Sequence, residues 1–218
     1  MHDTIVPTFG LHAHTAFMIY ITIGLAIFSL LLARRLALVP GRVQSIVELT
    51  VTSFEGMVDE TMGHKGRKYF PFIMTFAIFI FISNLLGMIP GLLPPTANLN
   101  TTAALALIVF VATHVIGIKE HGLKYFKHFT GPVWWLMPLM IPIEIIGHLA
   151  RPVSLSLRLF GNIMGHEQVV AVLLILMPLA YPLLAFSTVL GVLVIFIQAF
   201  IFALLSMMYI GGALEEAH

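Results

Sequence analysis

The chain has 218 residues, 59% of them hydrophobic and only 10% charged, with a mean hydropathy of +1.01. A soluble domain carries about 25% charged residues, so this chain has too few polar groups to cover a water-facing surface, and its solvent is lipid. The net charge of +1 argues against a nucleic-acid partner, and with no cysteine in the sequence there are no disulfides or thiolate metal sites.

The N-terminal residues Met1-His2-Asp3-Thr4 put no basic segment ahead of the first apolar stretch. That stretch therefore reads as a permanent span and not as a cleaved signal peptide. A membrane-spanning helix needs about 20 apolar residues, and the first predicted span covers 16–33, closed by Arg34-Arg35. From 41 to 63 the pattern changes. Val43, Ile46, Val47, Val51, Phe54, Met57 and Val58 recur at helical spacing, with Glu48, Glu55 and Asp59 among them. This predicts an amphipathic helix on the membrane surface. Two further spans follow, at 70–90 and 99–118.

From 133 to 177 the chain stays apolar for longer than one upright helix requires, and no Gly/Asn/Asp turn divides it. Pro138, Pro142 and Pro152 can kink a membrane helix without breaking it. The expectation is one or two helices, kinked and strongly tilted in the bilayer. Pro178 and Pro182 mark a turn, and the last helix covers 183–210. The alternation Val153-Ser154-Leu155-Ser156-Leu157 looks like a strand, but a lone strand in lipid would leave its backbone unsatisfied, so helix is predicted there too. No internal repeat supports an inverted-repeat transporter. The whole chain, 1–218, reads as one all-α polytopic membrane domain of about five to six helices, the last two long and tilted.

Basic residues set the orientation. Arg34, Arg35, Arg42, Lys65, Arg67 and Lys68 fall in the first loop, and Lys119, Lys124 and Lys127 in the second. By the positive-inside rule both loops are cytoplasmic, and the N-terminal tail and the 91–98 loop lie outside. Five crossings place Glu215-Glu216 in the cytoplasm; a sixth would place them outside.

Arg151 and Arg158 remain, inside the long apolar stretch with Glu144, His148, Asn162, His166 and Glu167. A charge at mid-membrane costs about 2.5–3.5 kcal/mol on insertion scales. At 100° per residue, Glu144, His148, Arg151, Arg158, Asn162 and His166 fall within about 80° of one another. Glu167 points about 180° away from Arg158 by the same geometry. The stripe predicts a polar, water-accessible face in a lipid-embedded element. Arg151 can instead snorkel to an interface, and a purely structural Glu–Arg pair joining two helices is the other bland reading. Arg158 is harder to dismiss than Arg151, because Leu155, Leu157, Leu159 and Phe160 surround it, and the structural pair stays open.

The run Arg151-Pro-Val-Ser-Leu-Ser-Leu-Arg158-Leu-Phe-Gly-Asn162 resembles the signature of the a subunit of F-type ATP synthases. Gln198-Ala-Phe-Ile-Phe, followed by Tyr209 and the tail Glu215-Glu216-Ala-His, is similar to that family's last helix. Asn84-Leu-Leu-Gly-Met-Ile-Pro90 and Pro95-Thr-Ala-Asn98-Leu-Asn100 agree with the order of its segments. The resemblance implies that Arg158 and Gln198 face a ring of c subunits. It implies that Asn162, Glu144 and Glu167 line aqueous half-channels, with Ser154 on the same stretch and His148 and His166 able to exchange protons. Two departures stand out. The family usually has Ala-Gly before the Glu167 position, where this chain has Gly165-His166. The position one repeat before the Gln often titrates in the family, and here it is Gly191, so His166 is the nearest substitute as partner of Glu167.

What the resemblance implies is ion translocation, most naturally of protons, coupled to rotation and ATP synthesis, with no catalytic site or cofactor in this chain. The implied partners are the c-ring, the peripheral-stalk b subunits, the lipid bilayer and, indirectly, the soluble ATPase head. The implied location is a bacterial plasma membrane, with the N-terminus outside and the C-terminus cytoplasmic. A stand-alone secondary transporter or channel and a structural membrane anchor are the alternatives. An intramembrane metal enzyme fits poorly, since His12-Ala-His14 lies in the tail and neither His148 nor His166 has a ligand-type i, i+4 histidine.

Overall fold

The computed structural model describes residues 12–34, 36–89, 92–122, 125, 137–176 and 181–214. Six α-helices account for most of them: α1 (Ala13–Arg34), α2 (Arg42–Gly66), α3 (Phe70–Leu86), α4 (Leu99–His121), α5 (Met137–Leu176) and α6 (Tyr181–Leu214). Short 3₁₀ turns at Arg67–Tyr69 and Pro95–Ala97 join α2 to α3 and precede α4. Among the described residues there is no strand, as lipid demands of any open segment. Among the described residues four helical stretches are long and apolar enough to cross a membrane: 13–34, 42–86, 99–121 and 185–214. The chain is an all-α, multi-pass membrane protein.

Local sequence explains the helix boundaries. Pro71 and Pro182 sit in first turns, where the missing N–H is no loss. Asn98 caps α4, its side-chain oxygen accepting from the Asn100 N–H at 2.9 Å. Gly122 ends α4 at φ +58. Within the helices Thr113 and Ser206 return their hydroxyls to the carbonyls of Val109 and Phe202, each at 2.8 Å. That satisfies polar atoms for which lipid offers no partner. Pro142 and Pro152 lie inside α5, and the helix runs on through both. The run 153–157 is helical, and the turn expected at Pro178 lies outside the described residues.

The segment 41–63 is covered unequally along its length. Its first half leaves Val43, Ile46 and Leu49 exposed, but its second half is packed into the protein. Val58 and Met62 join Ile73, Ala77, Ile116, Ala203, Met207 and Ile210 in one core. At Gly63 (φ +64, ψ −174) the chain bends and then carries on into α3. Arg67 clamps the bend by a two-pronged contact with Asp59, Nε to Oδ1 at 3.0 Å and Nη2 to Oδ2 at 2.8 Å. Only glycine adopts that backbone conformation without strain. Gly63→Ala is expected to destabilise the subunit by about 1–3 kcal/mol, read as earlier thermal release from the detergent-solubilised complex. An unchanged release temperature would refute the strain argument.

The second core joins α1 and α3–α6 through Ile21, Phe79, Ile80, Leu105, Val109, Leu155, Leu159, Ala199 and Phe202. It fixes one flank of α5 against α4 and α6. The opposite flank carries Val153, Leu157 and Arg158, all exposed, beside an open face of α6 that includes Leu190, Leu193 and Ile197.

Candidate functional site

Because core contacts hold Leu155, Leu159 and Ile163 inward, the polar residues of α5 stand at the edge of the packed flank. Arg158 is exposed there and makes no hydrogen bond or ion pair with any described residue. Ser154, one turn earlier, is exposed on the same side. Asn162, one turn later, donates its side-chain N–H to the Oε1 of Gln198. Gln198 is 1% exposed, so this bond joins α5 to α6 just beside the free guanidinium. The Nε2 of Gln198 has no hydrogen-bond partner among the described residues.

Beyond Asn162 lies a cleft of about 300 Å³, lined by Asn84, Gly87, Met88, Asn162, His166, Glu167 and Gly191 among others. Glu167 and His166 are both half-buried in it. The His166 Nε2 lies 3.3 Å from the Ser187 carbonyl oxygen, which can only accept, so Nε2 is the donor. A Cβ added to Gly191 would fall on the His166 imidazole. His166 therefore occupies the space that a side chain at 191 would need. On the far wall Asn84 is 1% exposed, with its Oδ1 accepting from the Thr96 hydroxyl at 2.6 Å. His14 closes the same end of the molecule, donating from Nδ1 to the Pro94 carbonyl at 3.1 Å.

Thr96→Val keeps the shape but removes the donor to a buried oxygen. The expected cost is about 1–3 kcal/mol, read as lower thermal stability of the solubilised complex. Equal stability would mean that another group takes over the Asn84 oxygen.

A second cleft, about 260 Å³, lies on the other side of Arg158 along α5. Phe110, Thr113, His114, His148, Arg151 and Tyr209 are among its walls. Glu144 Oε1 comes within 3.3 Å of His148 Nε2, and His148 is 6% exposed. The Arg151 guanidinium lies over the Tyr209 ring, 5.1 Å from its centroid, a favourable placement for a cation on an aromatic face.

The residues singled out from sequence thus divide into three places. His148 lines one cleft, with Glu144 against it one turn earlier; Asn162, His166 and Glu167 line the other; Arg158 and Ser154 stand exposed between them. Gln198 reaches the group from α6 through Asn162. Among the described residues no three His, Asp or Glu side chains converge as a metal site. Sequence reasoning missed His114 and gave no role to Asn84, although Asn84 stood in a quoted motif.

Comparison with known proteins decides the family. Residues 15–211 match the family model described as ATP synthase A chain. ATP synthase subunit a 1 of Syntrophotalea carbinolica is 58% identical over 211 residues, covering 94% of this chain and 89% of that protein. The chain belongs to the ATP synthase subunit a family. ATP synthase subunit a of Geobacter sulfurreducens is 57% identical over 198 residues, 91% of this chain and 86% of that protein. The corresponding Trichlorobacter lovleyi protein is 58% identical over 194 residues, 89% of this chain and 84% of its own. Family membership assigns the chain to ATP synthesis and ion transport as a subunit of the membrane sector, not a catalytic subunit.

Proposed function

We propose that this subunit conducts protons through two half-channels that end on either side of Arg158, where a ring of c subunits slides past the open face of α5 and α6. The observation that carries the reading is the arrangement along α5: two small clefts that each hold titratable side chains, with an exposed guanidinium between them that pairs with no described residue. One continuous pore would put the polar groups in a single cavity. A purely structural arginine would have a carboxylate or carbonyl partner, since burying an unpaired charge in lipid is costly.

From His148 to His166 is about 27 Å of helix axis, so the two clefts open at well-separated points. A guanidinium keeps its proton above pH 12 and relays none. It acts instead as a fixed positive charge that stabilises an ionised ring carboxylate as it passes. The carboxylate gives up its proton to one half-channel before Arg158 and takes another from the second half-channel after it. The same charge repels a proton crossing directly between the clefts. Glu144 and His148 serve one path, and His166 and Glu167 the other.

At 40 and 34 residues, α5 and α6 would span about 60 and 51 Å. Both exceed the roughly 30 Å hydrocarbon core, which supports strongly tilted helices that follow the curved ring. Basic loops at 34–68 and 119–127 support a cytoplasmic side for both, with the N-terminus outside and the C-terminus cytoplasmic in a bacterial plasma membrane. The b subunits and the soluble head complete the set of partners. The test is ATP-driven proton pumping in inverted vesicles carrying Arg158→Ala, with assembly checked by co-purification of ring and head. Normal coupled pumping would overturn the mechanism.

A further inference from the structure

We propose that His114 of α4 is a proton-carrying residue of the Glu144–His148 half-channel, exchanging protons directly or through one water with His148 across the α4–α5 interface. The proposal rests on the half-channel reading above and adds to it a residue from a different helix.

The two imidazoles meet edge to face, with ring centroids 5.4 Å apart and planes at 68°. His148 is buried, and both rings line the same cleft. The hydrogen bonding of His114 determines which of its nitrogens is basic. Its Nδ1 lies 2.9 Å from the Phe110 carbonyl oxygen, which can only accept. The neutral ring therefore carries its hydrogen at Nδ1 and presents its lone pair at Nε2. A protonated His148 can pass one proton to that lone pair, leaving His148 neutral and His114 cationic with both ring nitrogens protonated. The reverse transfer restores the start, and no other atom or electron moves.

The surroundings suit such an exchange. On its own helix His148 has Glu144 at 3.3 Å, and Arg151 lines the same cleft. From α6 the Tyr209 ring takes up the Arg151 guanidinium. On the other side Tyr125 meets His114 edge-on, with centroids 6.0 Å apart. His114 stands on the α4 side of the cleft, across from His148 and Arg151 of α5. A mere packing histidine would need none of this chemistry, and an amide of similar shape would replace it.

His114→Asn tests that distinction, because its amide N–H takes the place of Nδ1 and keeps the bond to the Phe110 carbonyl but cannot titrate. In intact complexes in inverted vesicles, ATP-driven pumping by this variant should fall about tenfold, less than the full 10²–10⁴ of general acid–base catalysis because water replaces part of the path. Its rate should lose the pH dependence that the wild type shows across the histidine range, and added imidazole should restore it. His148→Asn should behave alike, and the double variant should be no slower than the worse single one, since both act in one step. His114→Gln, whose amide reaches the Nε2 position, repeats the test if the Asn variant does not assemble. Wild-type pumping and pH profile in an assembled His114 variant would overturn the relay. Arg158→Ala in the same vesicles separates the two ideas. If it pumps normally, the half-channel reading and the relay fall together; if it fails while His114→Asn pumps normally, only the relay falls.

Discussion

Arg158→Ala is expected to reduce coupled proton pumping by about 100-fold or more while the complex still assembles. The figure follows from the charge. A nearby cation lowers a carboxyl pKa by about 1–3 units, and each unit is a factor of ten in the fraction ionised. Without Arg158 a ring carboxylate passing α5 has no reason to release its proton between the clefts. Two effects should then appear together. ATP hydrolysis should no longer drive acidification, and a passive proton leak should rise, because no fixed charge repels a proton moving from one cleft to the other. Each proton crossing is driven by about 2.3 kcal/mol per 100 mV, ample to sustain a visible leak. Arg158→Lys should retain part of the pumping, since it keeps a charge but loses the planar fork and can deprotonate when desolvated. Assembly is expected to survive because Arg158 is exposed and makes no hydrogen bond or ion pair with a described residue that its loss would break. An assembled Arg158→Ala complex with normal pumping and no leak would reduce the chain to a scaffold.

Much of this arrangement was legible in the sequence. Apolar runs of spanning length, Arg34 at the end of α1 and the polar stripe of α5 follow from composition and from the 3.6-residue period. What was not legible depends on neighbouring helices. A helical projection sets Glu167 opposite Arg158, yet says nothing of α3 and α6 standing on the Glu167 side. Their presence turns the far side of α5 into a cleft that Glu167 shares with His166 and Asn84. His114 was hidden for a related reason. It is one histidine within the apolar middle of α4, so periodicity marks nothing there, and its significance comes from His148 on another element. The bend at Gly63 escaped notice because an amphipathic pattern shows which face is apolar and not whether lipid or protein covers it. Here the first half of α2 is left bare, while the second half is covered by α6.

Exchanging His166 and Gly191 is expected to lose and then recover function. The resemblance to the a-subunit family puts a titratable group at the Gly191 position, whereas this chain carries its imidazole at 166. Geometry couples the two sites: a Cβ at 191 would strike the tip of the His166 ring, so a side chain there requires the imidazole to move. Gly191→His alone should therefore force one ring out of the cleft, or α6 away from α5. Small-to-large changes in packed sites cost about 1–3 kcal/mol, and pumping should fall by about 10- to 100-fold with it. His166→Gly alone should also slow pumping, because Glu167 then loses the imidazole that shares its cleft. The double variant restores one imidazole to the same space from the other helix, and its pumping should exceed that of both single variants. Backbone freedom is not at issue, since both positions are helical. If the double variant is no better than the worse single one, His166 is tied to its own place, through the Ser187 carbonyl and not through the shared cavity. If His166→Gly alone pumps at the wild-type rate, His166 is no part of the Glu167 path, and Glu167 exchanges protons with water in the cleft.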